Sequence, residues 1–171
     1  PEKFNMSKVC SELYTMIQPK VTNPDVKFCM DESGLECLIF LDRNRLKQVW
    51  MNYLTNAVKC TQSGYIKMGY SIEGKGIRFY VEDSGVGIPK EDTEHIFERF
   101  YRVDKSHSRE IGGTGLGLAI SRAIIEGAGG KVGFISQPGK GSTFWAWVPC
   151  EIEMPEKVSS VDSQPLDQPS V

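Results

Sequence analysis

The chain is short of four things, and each shortage excludes a class of protein. No apolar run approaches the roughly 18–20 residues that a membrane-spanning helix needs. The longest candidate, Cys37-Leu38-Ile39-Phe40-Leu41, reads as a buried strand. The five cysteines (Cys10, Cys29, Cys37, Cys60, Cys150) are odd in number and form no CxxC pair. That argues against a zinc site or disulfide framework and fits buried free thiols in a reducing compartment. Histidine is almost missing, with only His95 and His107. Charge is nearly balanced, at −2, and the acidic excess sits at one end: residues 150–171 hold Glu151, Glu153, Glu156, Asp162 and Asp167 against Lys157 alone. The remaining body is slightly basic, too weakly to suggest a nucleic-acid surface. No signal peptide is visible at Pro1-Glu2-Lys3, a start expected of a piece cut from a longer protein. Asn5-Met6-Ser7 matches a glycosylation pattern by chance in a chain of this cytosolic character.

What is present fits one soluble domain. The 171 residues, 40% hydrophobic and 25% charged, suffice for a real core. Val9, Cys10, Leu13, Met16 and Ile17 fall at helical spacing, with Ser7 available as N-cap and Pro19 and Pro24 as stops. Strands are expected at Val26–Met30 and Glu36–Leu41, then a helix over Asn44–Thr61, then a hairpin-like pair, Tyr65–Ile72 and Gly76–Val81. Past a long irregular stretch, a glycine-started helix stops at Gly127 and Gly129-Gly130, and strands follow at Lys131–Ser136 and Ser142–Val148. In the last strand Phe144, Ala146 and Val148 alternate with Trp145 and Trp147, so both faces carry apolar groups. Beyond Pro149 the chain changes character. We expect a domain over 1–149 and an acidic, Pro/Ser-rich tail over 150–171, disordered or a linker.

Four stretches carry chemistry. In Gly112-Gly113-Thr114-Gly115-Leu116-Gly117-Leu118 the glycines allow close backbone approach, and the helix that follows presents free N–H groups and a positive dipole end, which suits a phosphate chain. On the Asn44–Thr61 helix, Gln48, Asn52 and Asn56 step by four along one stripe, with Lys59 three beyond. A solvated polar face is the plain reading of such a stripe. Asparagine is nevertheless a mediocre helix former, and its amide oxygen suits Mg²⁺ shared with phosphates. In Glu82-Asp83-Ser84-Gly85-Val86-Gly87-Ile88-Pro89 a carboxylate leaves a strand end and enters a tight glycine turn. Asp83 could accept from an exocyclic amine such as that of adenine. Residues 90–111 mix Lys90, Arg99, Arg102, Lys105, His107 and Arg109 with Phe97, Phe100 and Tyr101, with a short segment near Thr93–Phe97, and read as a lid over a triphosphate.

In this order the stretches resemble the N, G1, F and G2 boxes of the catalytic, ATP-binding domain of two-component sensor histidine kinases. The boxes are Gln48 to Lys59, Asp83-Ser84-Gly85-Val86-Gly87, Ile96-Phe97-Glu98-Arg99-Phe100-Tyr101-Arg102 and Gly113 to Leu118. Gly139-Lys140-Gly141-Ser142-Thr143-Phe144 also matches that family's last strand, and the match spans residues 1–149. The resemblance implies an α/β (α+β) two-layer sandwich, a mixed β-sheet covered on one face by three helices, with a long ATP lid. It implies Mg²⁺ on Asn56, phosphate contacts from Lys59, and adenine on Asp83 with Gly85, Gly87 and Ile88 in its turn. Tyr101, Arg102, Lys105 and the backbone of Gly113, Thr114, Gly115, Leu116, Gly117 and Leu118 would line the triphosphate, with Thr143 near the base. Cys60 stands where the family usually has an aromatic residue by the nucleotide, and Gly127-Ala128 replaces a more usual Ala-His.

The superfamily also includes gyrase, mismatch-repair and heat-shock chaperone ATPases, which place a glutamate base where this chain has Asn52. Asparagine takes no proton at neutral pH, so hydrolysis should be poor and transfer to a protein nucleophile favoured, with Asn52, Lys59 and Arg102 as the catalytic set. The resemblance places the phosphoaccepting histidine on a separate helical dimerisation domain, and neither His95 nor His107 has that setting. The expected partners are ATP, that domain and, indirectly, a response regulator, with no nucleic acid and no membrane contact by this segment. The expected setting is the cytoplasmic part of a membrane-anchored sensor. A serine kinase of the anti-sigma-factor type and a nucleotide-binding pseudokinase are the alternatives.

Overall fold

In the computed structural model the described residues are 1–98 and 117–155. Among them run eight strands and three helices: β1 (Glu2–Asn5), α1 (Met6–Ile17), β2 (Val26–Met30), β3 (Leu38–Leu41), α2 (Arg43–Cys60), β4 (Gly64–Glu73), β5 (Gly76–Asp83), α3 (Gly117–Gly127), β6 (Lys131–Gln137), β7 (Gly141–Pro149) and β8 (Glu151–Glu153). The main sheet has the order β2-β4-β5-β7-β6, and is mixed because β2 pairs parallel to β4 while the other neighbours are antiparallel.

The three helices cover one face of this sheet. Alternate residues of each strand point at them, as a period of two requires: Ile66, Met68 and Tyr70 on β4, Ile77, Phe79 and Val81 on β5, and Phe144, Ala146 and Val148 on β7 are all buried. α2 lies centrally and buries Leu46, Val49, Trp50, Tyr53, Leu54 and Ala57. Its two large aromatics stack on the sheet, Trp50 with its ring centroid 5.1 Å from that of Phe79 and Tyr53 5.6 Å from Phe144. Their polar tips reach backbone carbonyls, Trp50 Nε1 donating to Tyr80 and Tyr53 Oη to Trp145. The opposite face holds Trp145 and Trp147 against small or charged partners. Trp145 lies over Gly133 and under the Arg78 guanidinium, 5.3 Å from the ring centroid, while Trp147 Nε1 donates to the Glu73 carbonyl.

Several local expectations shift. Asn5, not Ser7, caps α1, its Oδ1 accepting from Ser7 N at 2.9 Å, because the helix starts one residue before Ser7. The strand expected from Glu36 starts at Leu38, and the segment near Thr93–Phe97 is a run of turns after a short 3₁₀ turn at Lys90–Asp92. Strand structure also continues past the boundary set at Pro149. β8 pairs with β3, Ile152 opposite the buried Ile39, and β1 pairs with the other edge of β3, giving a second sheet of order β1-β3-β8. The tail from 156 lies outside the described residues. No helix among the described residues is long and apolar enough to cross a membrane.

Candidate nucleotide site

Asp83 is the last residue of β5, and the alternation that buries Ile77, Phe79 and Val81 carries its carboxylate to the helix-covered face. It is only 6% exposed, and among the described residues no cation pairs with it. Burial pushes its pKa up, opposed by backbone N–H groups of Gly85 and Ser142, the former 2.9 Å from Oδ1; Glu82 nearby pushes it up again. The turn that follows is closed on both sides. A Cβ at Gly85 would meet the Cys60 carbonyl oxygen at 2.6 Å and Asp83 Oδ1 at 2.9 Å. Gly87 has φ +72° and presses on the Gln137 carbonyl, and the β6–β7 turn returns a hydrogen bond from Gly139 N to Val86 O. Glycine at 85 and 87 is therefore set by contact with α2 on one side and the β6–β7 turn on the other. Ile88 buries its side chain in the core, and its N–H donates to Ser136 Oγ at 2.8 Å.

The C-terminal turns of α2 bring the second group. Asn56 is half-buried and Lys59 exposed, and among the described residues neither side chain has a hydrogen-bond or ion-pair partner. Cys60 ends the helix beside this turn. It is exposed as a residue, yet its thiol is crowded enough that burial, followed by the Asp83 charge, raises its pKa against the effect of Lys59, so it stays neutral near pH 7. Next to it Thr61 is 5% exposed, and its Oγ1 finds no partner. A buried hydroxyl left in this state costs free energy unless a ligand or water meets it.

Asn52, one turn earlier, is already engaged. Its Nδ2 donates to the carbonyl of Gly117 at 3.1 Å and to Ser121 Oγ at 3.0 Å. This joins α2 to the first turn of α3, which Gly117 opens; Leu118 packs against the core. Tyr101, Arg102, Lys105, His107 and Gly113 to Leu116 lie outside the described residues. His95 is half-exposed, with Nδ1 2.8 Å from Glu98, whose carboxylate raises its pKa.

One assignment needs correction. Thr143 pairs with Glu82 and Ser142 with Asp83. Because side chains alternate across a sheet, Thr143 points to the face away from the helices and cannot share a pocket with Asp83. Ser142, 7% exposed, is the residue of β7 on Asp83's side, and its Oγ lies 2.9 Å from Ser136 Oγ. Counting back by twos from Phe144 would have found it. Ser121 and Thr61 were missed because nothing in a lone serine or threonine marks it before the helices pack.

The chemistry of the donor set fits a nucleotide with a divalent metal: a buried carboxylate without a cation, an orphaned hydroxyl, and a free amide and ammonium on one helix flank. Comparison with known proteins bears on the nucleotide and the family. Residues 41–152 match the family model described as "Histidine kinase-, DNA gyrase B-, and HSP90-like ATPase". The chain is 34% identical over 167 residues to the circadian input-output histidine kinase CikA of Synechococcus elongatus, covering 95% of this chain and 22% of that one. The catalytic domain of histidine kinase ThkA superposes with TM-score 0.70 at 32% identity, over 86% of this chain and 94% of that one. Full-length ShkA, solved in complex with AMPPNP, gives 0.79 at 28% identity, over 90% of this chain and 32% of that one.

Proposed function

The chain belongs to the histidine kinase-, DNA gyrase B- and HSP90-like ATPase family, as a histidine kinase catalytic domain, and from that premise we propose that it binds Mg·ATP and passes the γ-phosphoryl group to a histidine on a separate helical dimerisation domain of its parent protein. It spans about a fifth of the length of CikA, so the acceptor domain, the response regulator downstream and the placing of the whole in a membrane-anchored sensor belong to this reading.

Each residue has a part. Asp83 accepts from the exocyclic amine of adenine and orients the base, Ser142 N and Gly85 N holding its carboxylate. Asn56 offers its amide oxygen to the metal, and Lys59 sets a positive charge beside the phosphates. Mg·ATP, when bound, supplies the phosphoryl group and the metal charge that offsets its negative oxygens. Asn52 cannot take a proton, so water is poorly activated and the nucleophile must come from outside. Tyr101, Arg102, Lys105 and the backbone of Gly113 to Leu116 are assigned to the triphosphate by their motifs alone. Phosphoryl transfer rests mainly on positioning and charge, and the chain has residues for both.

Asp83 carries the reading. A buried carboxylate without a counter-ion is costly to keep, and an amine donor from a ligand relieves it. Guanine would present an oxygen there instead, an unmatched pair worth about 1–3 kcal/mol, so ATP should bind about ten-fold or more tightly than GTP. Calorimetry giving equal affinities would remove the assignment. The transfer itself is tested by mixing the chain, labelled ATP and the separately made acceptor domain of its parent. Acid-labile phosphate should appear slowly on that domain and on neither His95 nor His107. Label on either of those would overturn the division of labour.

A further inference from the structure

The engaged state of Asn52 has a second member. Ser121 is fully buried on α3, and its Oγ donates to the Gly117 carbonyl at 2.9 Å while accepting from Asn52 Nδ2 at 3.0 Å. Asn52 Nδ2, Ser121 Oγ and the Gly117 oxygen form a closed triangle. A carbonyl can only accept, so the edge of Asn52 that meets Gly117 must be its nitrogen, and the sense of the amide is fixed. Among the described residues its Oδ1 receives no hydrogen bond. Asn56, one turn on, has no such restraint.

We propose that Ser121 is a positioning residue for phosphoryl transfer: with the Gly117 carbonyl it locks the nitrogen edge of Asn52 against α3, so that Asn52 meets the nucleotide with its carbonyl oxygen. This rests on the reading of the site as one for Mg·ATP. An oxygen edge repels phosphate and attracts a cation or the water around one. The contribution of Asn52 to binding is therefore metal-dependent, and Ser121 contributes only through Asn52. An unrestrained amide could turn its N–H groups to the phosphates and would lose that dependence.

Two measurements on the full chain decide the matter. The first needs no nucleotide. By NMR, the side-chain N–H groups of Asn52 should exchange with solvent several-fold more slowly than those of Asn56, and Ser121→Ala, which leaves the Gly117 bond alone to hold the amide, should narrow that difference. Alanine favours the helix, so the variant should fold. Unchanged exchange at Asn52 would overturn the lock. The second is ATP affinity with and without Mg²⁺. Ser121→Ala should weaken Mg·ATP binding about five-fold, the scale of one net hydrogen bond, and leave metal-free ATP within two-fold. It should have no further effect in an Asn52→Ala background. Equal weakening with and without metal, or effects that multiply in the double variant, would refute the positioning role. A wild-type chain that binds no Mg·ATP at all would instead overturn the nucleotide reading, and the exchange measurement separates that result from a failure of the lock.

Discussion

Asp83 and Asn56, both read as nucleotide contacts, sit in opposite surroundings. Asp83 is buried, held by two backbone N–H groups, and wedged between the end of α2 and the β6–β7 turn, where Gly85 and Gly141 leave no space for a side chain. Asn56 stands half-buried on a helix flank with no partner among the described residues. The difference follows from what each end must read. Telling one base from another needs a donor and acceptor pattern fixed in advance, since a group that can turn away discriminates poorly. Metal and phosphates are held by charge, which is less demanding of angle, and the groups there can wait for the ligand to order them.

The strongest test of this contrast is Asp83→Asn. An amide keeps the shape but turns an N–H toward either the Ser142 or Gly85 donor, and loses the charged acceptor. ATP affinity should fall about 10–100-fold, the worth of a hydrogen bond to a charged group. The same carboxylate makes binding sensitive to acid. Because its pKa is raised, chiefly by burial, ATP affinity should begin to fall at a pH above the ordinary aspartate value of about 3.9. If titration calorimetry shows the loss only below that value, Asp83 is not a desolvated acceptor and the enclosed end has been misread.

At the open end, Asn56→Ala should weaken Mg·ATP about ten-fold, with little change for metal-free ATP and no change in melting temperature, because the side chain supports nothing in the fold. Equal weakening of both forms would make Asn56 a direct phosphate contact and remove the metal from the argument.

How much of this is legible in the sequence depends on the range of the contact. The period of 3.6 over Leu46 to Ala57 and the period of two over Phe144 to Val148 give α2 and β7 directly, and glycines at 85 and 87 announce a turn that only they can make. The order of the boxes then fixes the family. What sequence reading misses lies in registers and non-local pairings. Thr143 in place of Ser142 is a one-residue error, and in a strand one residue changes the face. The lock on Asn52 joins residues 69 apart, and β8 joins β3 from the other end of the chain. A serine on a helix or an Ile between two glutamates carries no mark of such a contact.

Asp31 supplies a control away from both ends, because its shift is opposite in sign. It accepts from Tyr80 Oη at 2.6 Å and Ser33 N at 2.9 Å, and the Tyr80 bond first, then the Ser33 bonds, hold its pKa down to about 2. A lowered folded-state pKa stabilises above the unfolded value, near 3.9, and that stability fades as the pH drops through the folded one. Asp83, with a raised pKa, does the reverse and favours the fold most at low pH. Asp31→Asn should therefore cost about 1 kcal/mol at pH 7 after allowance for its partial exposure, measured by denaturant titration. The loss should shrink toward pH 2, and ATP affinity should not move. A fall in ATP affinity would mean that the sheet edge at β2 communicates with the site, against the separation drawn here.

The smallest expected effect concerns the C-terminal end, and it asks where the domain stops. Residues 156–171 are read as a tail with no part in the fold, so their removal should leave melting temperature and both ATP and metal-free affinities unchanged. Removal from residue 150 is different, because it strips β8 from β3, exposes one edge of the strand that carries the buried Ile39, and uncovers Ile152's packing against the core. A loss near 1 kcal/mol is expected from those contacts, or about 2–4 °C in a domain of this size. Nucleotide affinity should still hold, because the β1-β3-β8 sheet supplies none of the groups assigned to either end of the site. A change in affinity on removing 156–171 would place the tail against the open end, beside Asn56 and Lys59. A change on removing 150–155 alone would mean that the second sheet sets the angle of α2, since β3 leads into that helix through its cap Asp42.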